Sequence, residues 1–229
     1  AIQRIQEFEQ AALARHPDGY YVSISGGKDS QVVYDLVKRA KVKADFHYNH
    51  TCCDPPELVQ HIKQNMPDVQ RHLPAESLWA MIKRKGMPPR RNARFCCELL
   101  KETGGSGRLI VTGVSWAESP RRGSRKMSEA CYRDKTKHYL HPIIDWWTGD
   151  VWAYIRTHKL SYCSLYDEGW DRLGCILCPM TRKVEEQMER WPKIAALWER
   201  TIKSVWKTDK GKVHKFTSAD ALWRWWLAR

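Results

Sequence analysis

The sequence has 229 residues, 42% of them hydrophobic, and carries 39 Lys and Arg against 26 Asp and Glu, a formal net charge of +13. This length suits one large domain, or one domain with an appendage. No apolar run approaches the roughly 20 residues that span a membrane, and no signal-peptide pattern is visible. We therefore expect a cytoplasmic protein whose charge favours a polyanionic partner, either a nucleotide or a nucleic acid.

The first predicted strand leads into a glycine-rich segment. Tyr21, Val22 and Ile24 are strand formers, and from Val32 the apolar residues recur at helical spacing. Glycines let the backbone approach a ligand closely, and the free N–H groups and dipole of a helix N-terminus attract anions. The pattern therefore predicts a phosphate- or pyrophosphate-binding loop. Its residues are Ser25, Gly26, Gly27, Lys28, Asp29 and Ser30.

Predicted strands and helices alternate through the next part of the chain. We expect further strands at residues 44–48, 69–73 and 109–114, and helices at residues 56–66 and 75–85. The unbroken apolar run at residues 109–114 is typical of a parallel sheet. The alternation predicts a doubly wound, mostly parallel α/β sheet that binds ligands beyond the carboxyl ends of its strands.

The last part of the chain differs in composition. Ten of the twelve tryptophans lie from Trp146 onward, and helical spacing recurs at residues 181–190, 193–206 and 218–228. We therefore divide the chain into an α/β domain at residues 1–179 and a helical, Trp-rich extension packed on it at residues 180–229.

Two pairs of cysteines have the spacing of metal ligands. Cys175 and Cys178 form a C-x-x-C loop, and Cys96 and Cys97 are adjacent. Because no secretory signal is visible, reduced thiols that bind a metal or act chemically are favoured over disulfides. Four thiolates can bind tetrahedral zinc or a [4Fe–4S] cluster. Adjacent cysteines are awkward around one small ion, so the pattern favours the cluster.

The other cysteines allow alternative roles. Cys52 and Cys53 follow the second predicted strand and are candidate nucleophiles or sulfur carriers, whereas Cys163 is an alternative ligand in place of Cys96. A free buried cysteine more often packs as a small hydrophobic side chain, which is the simpler interpretation for each of these and for Cys131.

The motifs together resemble a known family. Residues 25–30 match the S-G-G-x-D-S signature of the PP-loop ATP pyrophosphatases. Residues 94–101 resemble the R-x-C-C-x-x-x-K block of the phosphoadenylyl/adenylyl sulfate (PAPS/APS) reductase family, and residues 112–122 its T-G-x-R-x-x-x-S-x-x-R block. Residues 142–155 resemble its P-I-x-D-W and D-V-W-x-Y-I blocks. The C-x-x-C-P ending is most similar to small phage- and mobile-element-borne members of the iron–sulfur branch.

This resemblance implies a fold, cofactors and site residues. The fold would be that of the adenine nucleotide α-hydrolases, with residues 25–30 binding the phosphates of ATP or (phospho)adenylyl sulfate, and with Mg²⁺ as a candidate further cofactor. We take the charged loop residues and two downstream arginines as candidate catalytic residues: Lys28, Asp29, Arg121 and Arg122. The resemblance also implies that the ligands of a [4Fe–4S] cluster are Cys96, Cys97, Cys175 and Cys178.

Three departures from the family bear on the reaction. No cysteine follows Cys178, in the region where the reductases carry their nucleophile, and Ser115 replaces a common arginine. The loop is intact, the form associated with binding the β,γ-pyrophosphate of ATP. We therefore favour ATP pyrophosphatase-type activation at the α-phosphate coupled to sulfur transfer. Nucleic acid is a candidate acceptor of the sulfur, and it would contact the basic loop of Arg90, Arg91 and Arg94. The alternatives are a reductase that releases sulfite and a non-catalytic module that binds nucleotide or nucleic acid.

Overall fold

In a computed structural model, which describes residues 1–206 and 216–228, the chain forms two compact units. The first comprises residues 1–49, 56–72 and 104–173, and the second comprises residues 50–55, 73–103 and 174–229. The domain boundary expected between residues 179 and 180 stays a prediction. Residues 207–215 and 229 of the expected C-terminal extension lie outside the described residues.

Helices and strands alternate along most of the described chain. The strands are β1 (Tyr20–Ile24), β2 (Ala44–Asn49), β3 (Val69–His72), β4 (Leu109–Val111), β5 (Ser128–Ala130) and β6 (His138–Leu140). The helices are α1 (Ile2–Glu7), α2 (Glu9–Arg15), α3 (Lys28–Ala40), α4 (Pro56–Asn65), α5 (Leu78–Lys85), α6 (Pro120–Gly123), α7 (Thr148–Thr157), α8 (Val184–Arg190), α9 (Pro192–Ser204) and α10 (Ala219–Leu227). None of the helices in residues 1–206 and 216–228 is long and apolar enough to cross a membrane.

The first unit contains a six-stranded sheet in the order β3-β2-β1-β4-β6-β5. Neighbouring strands are parallel except β5, which pairs antiparallel with β6 at one edge. The expected doubly wound, mostly parallel α/β sheet is therefore confirmed. The edge hairpin of β5 and β6 was not predicted, because each strand is only three residues long and β5 has the polar sequence Ser-Glu-Ala.

The order of the strands fixes where a ligand can bind in the first unit. The chain moves outward from β1 through β2 to β3 and then returns to the other side of β1 as β4. In such sheets the crevice forms where the strand order reverses, beyond the carboxyl ends of the strands. β1 and β4 are in register at Val22 and Val111, both fully buried. The segments that follow these two strands therefore begin side by side.

The second unit is helical and has a core of stacked tryptophans. Trp198 on α9 and Trp226 on α10 are almost completely buried, with ring centroids 4.7 Å apart, and Trp79 on α5 meets Trp198 edge-on at 5.1 Å. The Trp226 indole N–H donates to the Pro89 carbonyl oxygen at 2.8 Å. These three side chains are therefore used in packing between helices, and the predicted helical C-terminal region is confirmed.

One buried arginine holds the amino end of the sheet together. Arg108, immediately before β4, is 7% exposed, and its guanidinium donates to the Tyr20 carbonyl oxygen at 2.8 Å and to the Gly19 carbonyl oxygen at 3.1 Å. It also pairs with the Asp45 carboxylate at the start of β2 at 2.7 Å. A single side chain thereby joins the first residues of three adjacent strands.

Replacement of this arginine should strongly destabilise the fold. We expect Arg108→Ala to lower the free energy of unfolding by about 2–4 kcal/mol, because it removes a buried donor from the Gly19 and Tyr20 carbonyl oxygens and takes the guanidinium away from the half-buried Asp45 carboxylate. The measurement is urea unfolding followed by circular dichroism. Arg172→Ala, at an exposed position of the same unit, is the matched control and should change stability by less than about 0.5 kcal/mol. Equal losses in the two variants would contradict the proposed role of Arg108.

Candidate functional site

The glycine-rich segment forms the turn between β1 and α3. Gly26 has φ +76°, a conformation that favours glycine, and a Cβ atom there would lie 2.7 Å from Leu58 Cδ1 and 2.8 Å from Ile62 Cδ1. Gly27 precedes the first residue of α3 and is extended. The turn is therefore tight because its backbone packs directly on two side chains of α4.

The N-terminus of α3 presents backbone N–H groups to this turn. The first intrahelical bond is donated by Gln31 to the Gly27 carbonyl oxygen at 3.0 Å, so the earlier N–H groups have no partner within the helix. The Lys28 N–H donates to the phenol oxygen of Tyr166 at 2.8 Å. Burial raises the pKa of Tyr166, so the phenol keeps its proton and can donate it to a ligand. Sequence reasoning assigned no role to Tyr166.

The loop side chains form a compact polar group. The Lys28 ammonium lies 2.8 Å from the Asp29 carboxylate, and Lys28 as a whole is only 9% exposed. The hydroxyl of Ser30 donates to the Gly27 carbonyl oxygen at 2.9 Å and lies 3.2 Å from the hydroxyl of Ser25. The predicted loop residues are thus held in one turn, with a buried cation and several N–H and O–H donors.

The segment after β4 packs against the start of α3. A Cβ atom on Gly113 would lie 2.8 Å from the backbone carbonyl carbon of Asp29, so only glycine permits this approach. The close contact explains why a glycine follows Thr112 in this block. It also shows that the T-G block and the glycine-rich loop form one structural unit.

The two candidate arginines of this segment differ in their surroundings. Arg122 pairs with Glu118, and the same carboxylate accepts the Ser115 N–H at 3.4 Å. Arg121 is exposed, and no ion-pair partner for it lies among the described residues. Only Arg121 therefore has its full charge available to an anion from outside the chain.

A histidine that was not anticipated supports the same segment. His141, directly after β6, is completely buried, and its Nδ1 atom lies 2.7 Å from the Thr112 hydroxyl. Burial, followed by the positive charge of Arg125, lowers the pKa of His141 to about 4. The Nε2 atom lies 3.3 Å from an Arg125 guanidinium nitrogen and 3.5 Å from the Glu129 carboxylate, so the ring joins Thr112 to this ion pair. No sequence pattern identified this residue, because it follows a strand that was not predicted.

The second unit contains the predicted ligand cysteines and one more. Cys96 and Cys97 lie at the start of a single π-helical turn (Cys97–Lys101), while Cys175 and Cys178 close a tight turn through a 3.2 Å bond from the Cys178 N–H to the Cys175 carbonyl oxygen. The Thr51 hydroxyl lies 3.5 Å from Cys53 Sγ and 3.3 Å from Cys175 Sγ, and Cys97, Cys175 and Cys178 act electrostatically on Cys96. We call these five residues the cysteine cluster.

Cationic and polar groups stabilise the thiolate form of part of the cluster. Hydrogen bonding from Cys53 and the positive charge of Lys101 lower the pKa of Cys175, although burial opposes them. The Cys175 Sγ atom also lies 3.3 Å from the Thr51 hydroxyl. The pKa of Cys53 is raised, first by its hydrogen bond to Cys175 and then by its burial. Cys175 is therefore the favoured thiolate of this pair and Cys53 the proton donor.

The remaining predicted residues are divided between the two units. Cys163 is 1% exposed in the first unit, and Cys131 is partly exposed there. In the basic loop of the second unit, Arg91 donates to the Pro179 carbonyl oxygen at 3.1 Å, and Arg94 approaches Cys97 Sγ at 4.0 Å. Part of this predicted nucleic-acid loop therefore contacts the two cysteine-bearing segments.

No ready-made site for a single metal ion is found in the part of the chain that the structure describes. There, no three His, Cys, Asp or Glu side chains are arranged to hold one ion.

Known proteins resemble this chain in both sequence and fold. It is 28% identical to the adenosine 5'-phosphosulfate reductase of Anoxybacillus flavithermus over 195 residues, which cover 79% of this chain and 82% of that protein. It is 29% identical over 223 residues to an uncharacterised protein of Methanocaldococcus jannaschii, covering 89% of this chain but only 45% of that protein. The crystal structure of the phosphoadenylyl-sulfate reductase of Candida auris, a phosphate complex, has a TM-score of 0.55 at 20% identity and covers 74% of this chain and 87% of that chain.

The assignment of the chain to a family rests on residues 19–181. The profile of the phosphoadenosine phosphosulfate reductase domain matches residues 19–181, which include β1, the glycine-rich loop and all four predicted ligand cysteines. The chain therefore belongs to the phosphoadenosine phosphosulfate reductase family.

Proposed function

We propose that this protein is an enzyme that binds an adenine nucleotide at residues 25–30 and acts at its α-phosphate, with ATP as the favoured nucleotide. The observation that carries the proposal is the N-terminus of α3. There, backbone N–H groups that have no partner within the helix lie in one tight turn with two serine hydroxyls and a buried lysine. Such an arrangement favours phosphate through hydrogen bonds, the helix dipole and a positive charge together.

Each loop residue has a defined part in this proposal. The N–H groups of α3 and the hydroxyls of Ser25 and Ser30 would bind the phosphate oxygens. Lys28 would stabilise the negative charge that develops on the leaving pyrophosphate, a role that a preorganised buried cation performs without solvent reorganisation. Asp29, the carboxylate of the loop, would hold Mg²⁺ beside the phosphates. Arg121 and Arg122 would contact further anionic groups of the nucleotide or acceptor.

We propose further that the cysteine cluster holds a [4Fe–4S] cluster through Cys96, Cys97, Cys175 and Cys178. The donor set fits, because four thiol groups from two short segments interact electrostatically and Lys101 lies against them. A nearby cation suits the negative charge of a thiolate-bound cluster. When bound, such a cluster supplies electrons or a site for sulfur. Thr51 and Cys53 would then orient Cys175 by hydrogen bonding.

The likeness to APS reductases supports a second candidate, the release of sulfite from adenylyl or phosphoadenylyl sulfate. The same loop would bind the phosphate of that nucleotide. We favour ATP because the loop retains the complete Ser-Gly-Gly-Lys-Asp-Ser sequence, the form associated with binding the β,γ-pyrophosphate of ATP. A non-catalytic nucleotide-binding module is the remaining alternative.

Removal of the loop lysine should weaken nucleotide binding. We expect Lys28→Met to raise the Kd for ATP by about 10- to 150-fold, the effect of losing a hydrogen bond to a charged group. The measurement is isothermal titration calorimetry, with thermal unfolding to verify the fold. Lys63→Met removes an exposed lysine at the end of α4 and is the matched control. Unchanged affinity in a folded Lys28→Met protein would exclude residues 25–30 as the phosphate site.

Removal of a proposed ligand should abolish the iron–sulfur cluster. We expect anaerobically purified Cys175→Ser protein to lose most of its iron, its acid-labile sulfide and its brown colour, because the cluster loses one of its thiolate ligands. Cys131→Ser alters a partly exposed cysteine of the first unit and should retain all three. Full iron and sulfide in Cys175→Ser would contradict the ligand assignment, and zinc in the wild-type protein would contradict the choice of metal.

The products of turnover distinguish the three functions. We expect protein supplied in turn with ATP, adenylyl sulfate and phosphoadenylyl sulfate to release pyrophosphate from ATP, because the loop binds the leaving group. The measurements are pyrophosphate and sulfite release under anaerobic conditions with a thiol reductant. Sulfite without pyrophosphate would establish the reductase, and binding without either product would establish the non-catalytic module.

A further inference from the structure

A groove lined by tryptophans lies in the first unit, outside the glycine-rich loop. Its volume is 270 Å³, and its walls include Trp116, Pro120, Trp146 and Trp147. Trp116 is 46% exposed and Trp147 is 71% exposed. A group of large, exposed aromatic side chains marks an interaction site more often than a single exposed one does.

The groove is held in shape before any partner binds. The Trp116 N–H donates to the Ile144 carbonyl oxygen at 2.8 Å, which joins the segment after β4 to the segment after β6. The Trp116 indole N–H donates to the Arg125 carbonyl oxygen at 2.8 Å and so fixes the plane of the ring. Trp146 packs against Tyr154 of α7 with ring centroids 5.5 Å apart. A flat aromatic ligand could therefore stack here with little loss of side-chain freedom.

The charges beside the groove favour an anionic partner. Arg121 follows Pro120 of the groove wall and Lys126 follows Arg125; both are exposed, and neither has an ion-pair partner within residues 1–206 and 216–228. The acidic residue of the wall, Asp145, is already neutralised by two hydrogen bonds of 2.7 Å from Arg4. Exposed aromatic rings flanked by free cations match a ligand that has both flat rings and phosphates.

We propose that this groove binds an unstacked base of a single-stranded nucleic acid, whose phosphates contact Arg121 and Lys126. Base–aromatic stacking combined with a basic track is the general mode of single-strand recognition. A duplex keeps its bases stacked and paired, so none of its bases is free to stack on these rings. The proposal does not depend on the proposed function, because the groove stands on its own geometry.

The test measures binding of a fluorescein-labelled oligodeoxythymidylate of about 12 nucleotides, a length within the range of single-strand sites. It uses fluorescence anisotropy, without ATP, on the intact protein. We expect Trp147→Ala to weaken binding by about 5- to 100-fold and Trp147→Phe to restore most of it, because stacking needs an aromatic ring. Lys126→Ala should reduce the slope of log Kd against log salt by about 1, the change expected for the loss of one phosphate contact.

The control is Tyr132→Ala, which removes an aromatic ring that is 89% exposed but does not line the groove. Equal losses in Trp147→Ala and Tyr132→Ala, or equal binding of a duplex of the same length, would overturn the proposal. Weaker ATP binding by Trp147→Ala with unchanged oligonucleotide binding would assign the groove to the nucleotide instead. A concentration-dependent dimer abolished by Trp147→Ala would assign it to a second copy of the chain. If the oligonucleotide binds as expected but no pyrophosphate is released from ATP, the groove stands and the proposed reaction fails.

Discussion

The parallel pairing of β1 with β4 is the constraint on which the candidate nucleotide site depends. It aligns Val22 with Val111, so the two segments that follow leave the sheet side by side. Gly113 then lies against the backbone of Asp29, and Gly26 lies against Leu58 and Ile62. The loop is thus fixed from both sides by contacts that exclude even one additional methyl group. The resulting rigidity keeps the N–H groups of α3 together before a ligand arrives, which is the form of preorganisation that favours binding of an anion.

The cysteine cluster depends on electrostatic coupling between neighbouring thiols. The pKa values of Cys97 and Cys175 are lowered and those of Cys96 and Cys53 are raised, because hydrogen bonding within each pair favours ionisation of one sulfur over the other. Lys101 and Arg94 supply the positive charge that makes the thiolate form favourable. A metal centre bound at these positions would require its sulfur ligands to lose their protons, since only the deprotonated sulfur ligates. Its affinity would therefore depend on pH through these pairs.

Local patterns predicted the strands and helices where hydrophobic spacing was strong, as in β1 and α3. The glycine-rich loop was identifiable for the same reason, because its residues are contiguous. Tyr166 and His141 could not be found this way, since each reaches its partner from a distant part of the chain, Tyr166 to Lys28 and His141 to Thr112. Cys53 was considered as a free nucleophile, whereas its contact with Cys175 spans more than a hundred residues and depends on tertiary structure alone. The β5–β6 hairpin had no signal because each strand is three residues long and β5 is polar.

The hydrogen bond from the Lys28 N–H to Tyr166 has a consequence for ligand selection. The Lys28 N–H already donates to the neutral phenol oxygen of Tyr166. A ligand that accepts from this N–H must therefore displace the phenol oxygen. A neutral ligand oxygen would replace one equivalent bond by another with no net gain, whereas a phosphate oxygen would form a charge-assisted bond of roughly twice the strength. The released phenol keeps its proton and can donate it to the same anion. At this N–H group, Tyr166 would therefore favour an anionic ligand over a neutral one.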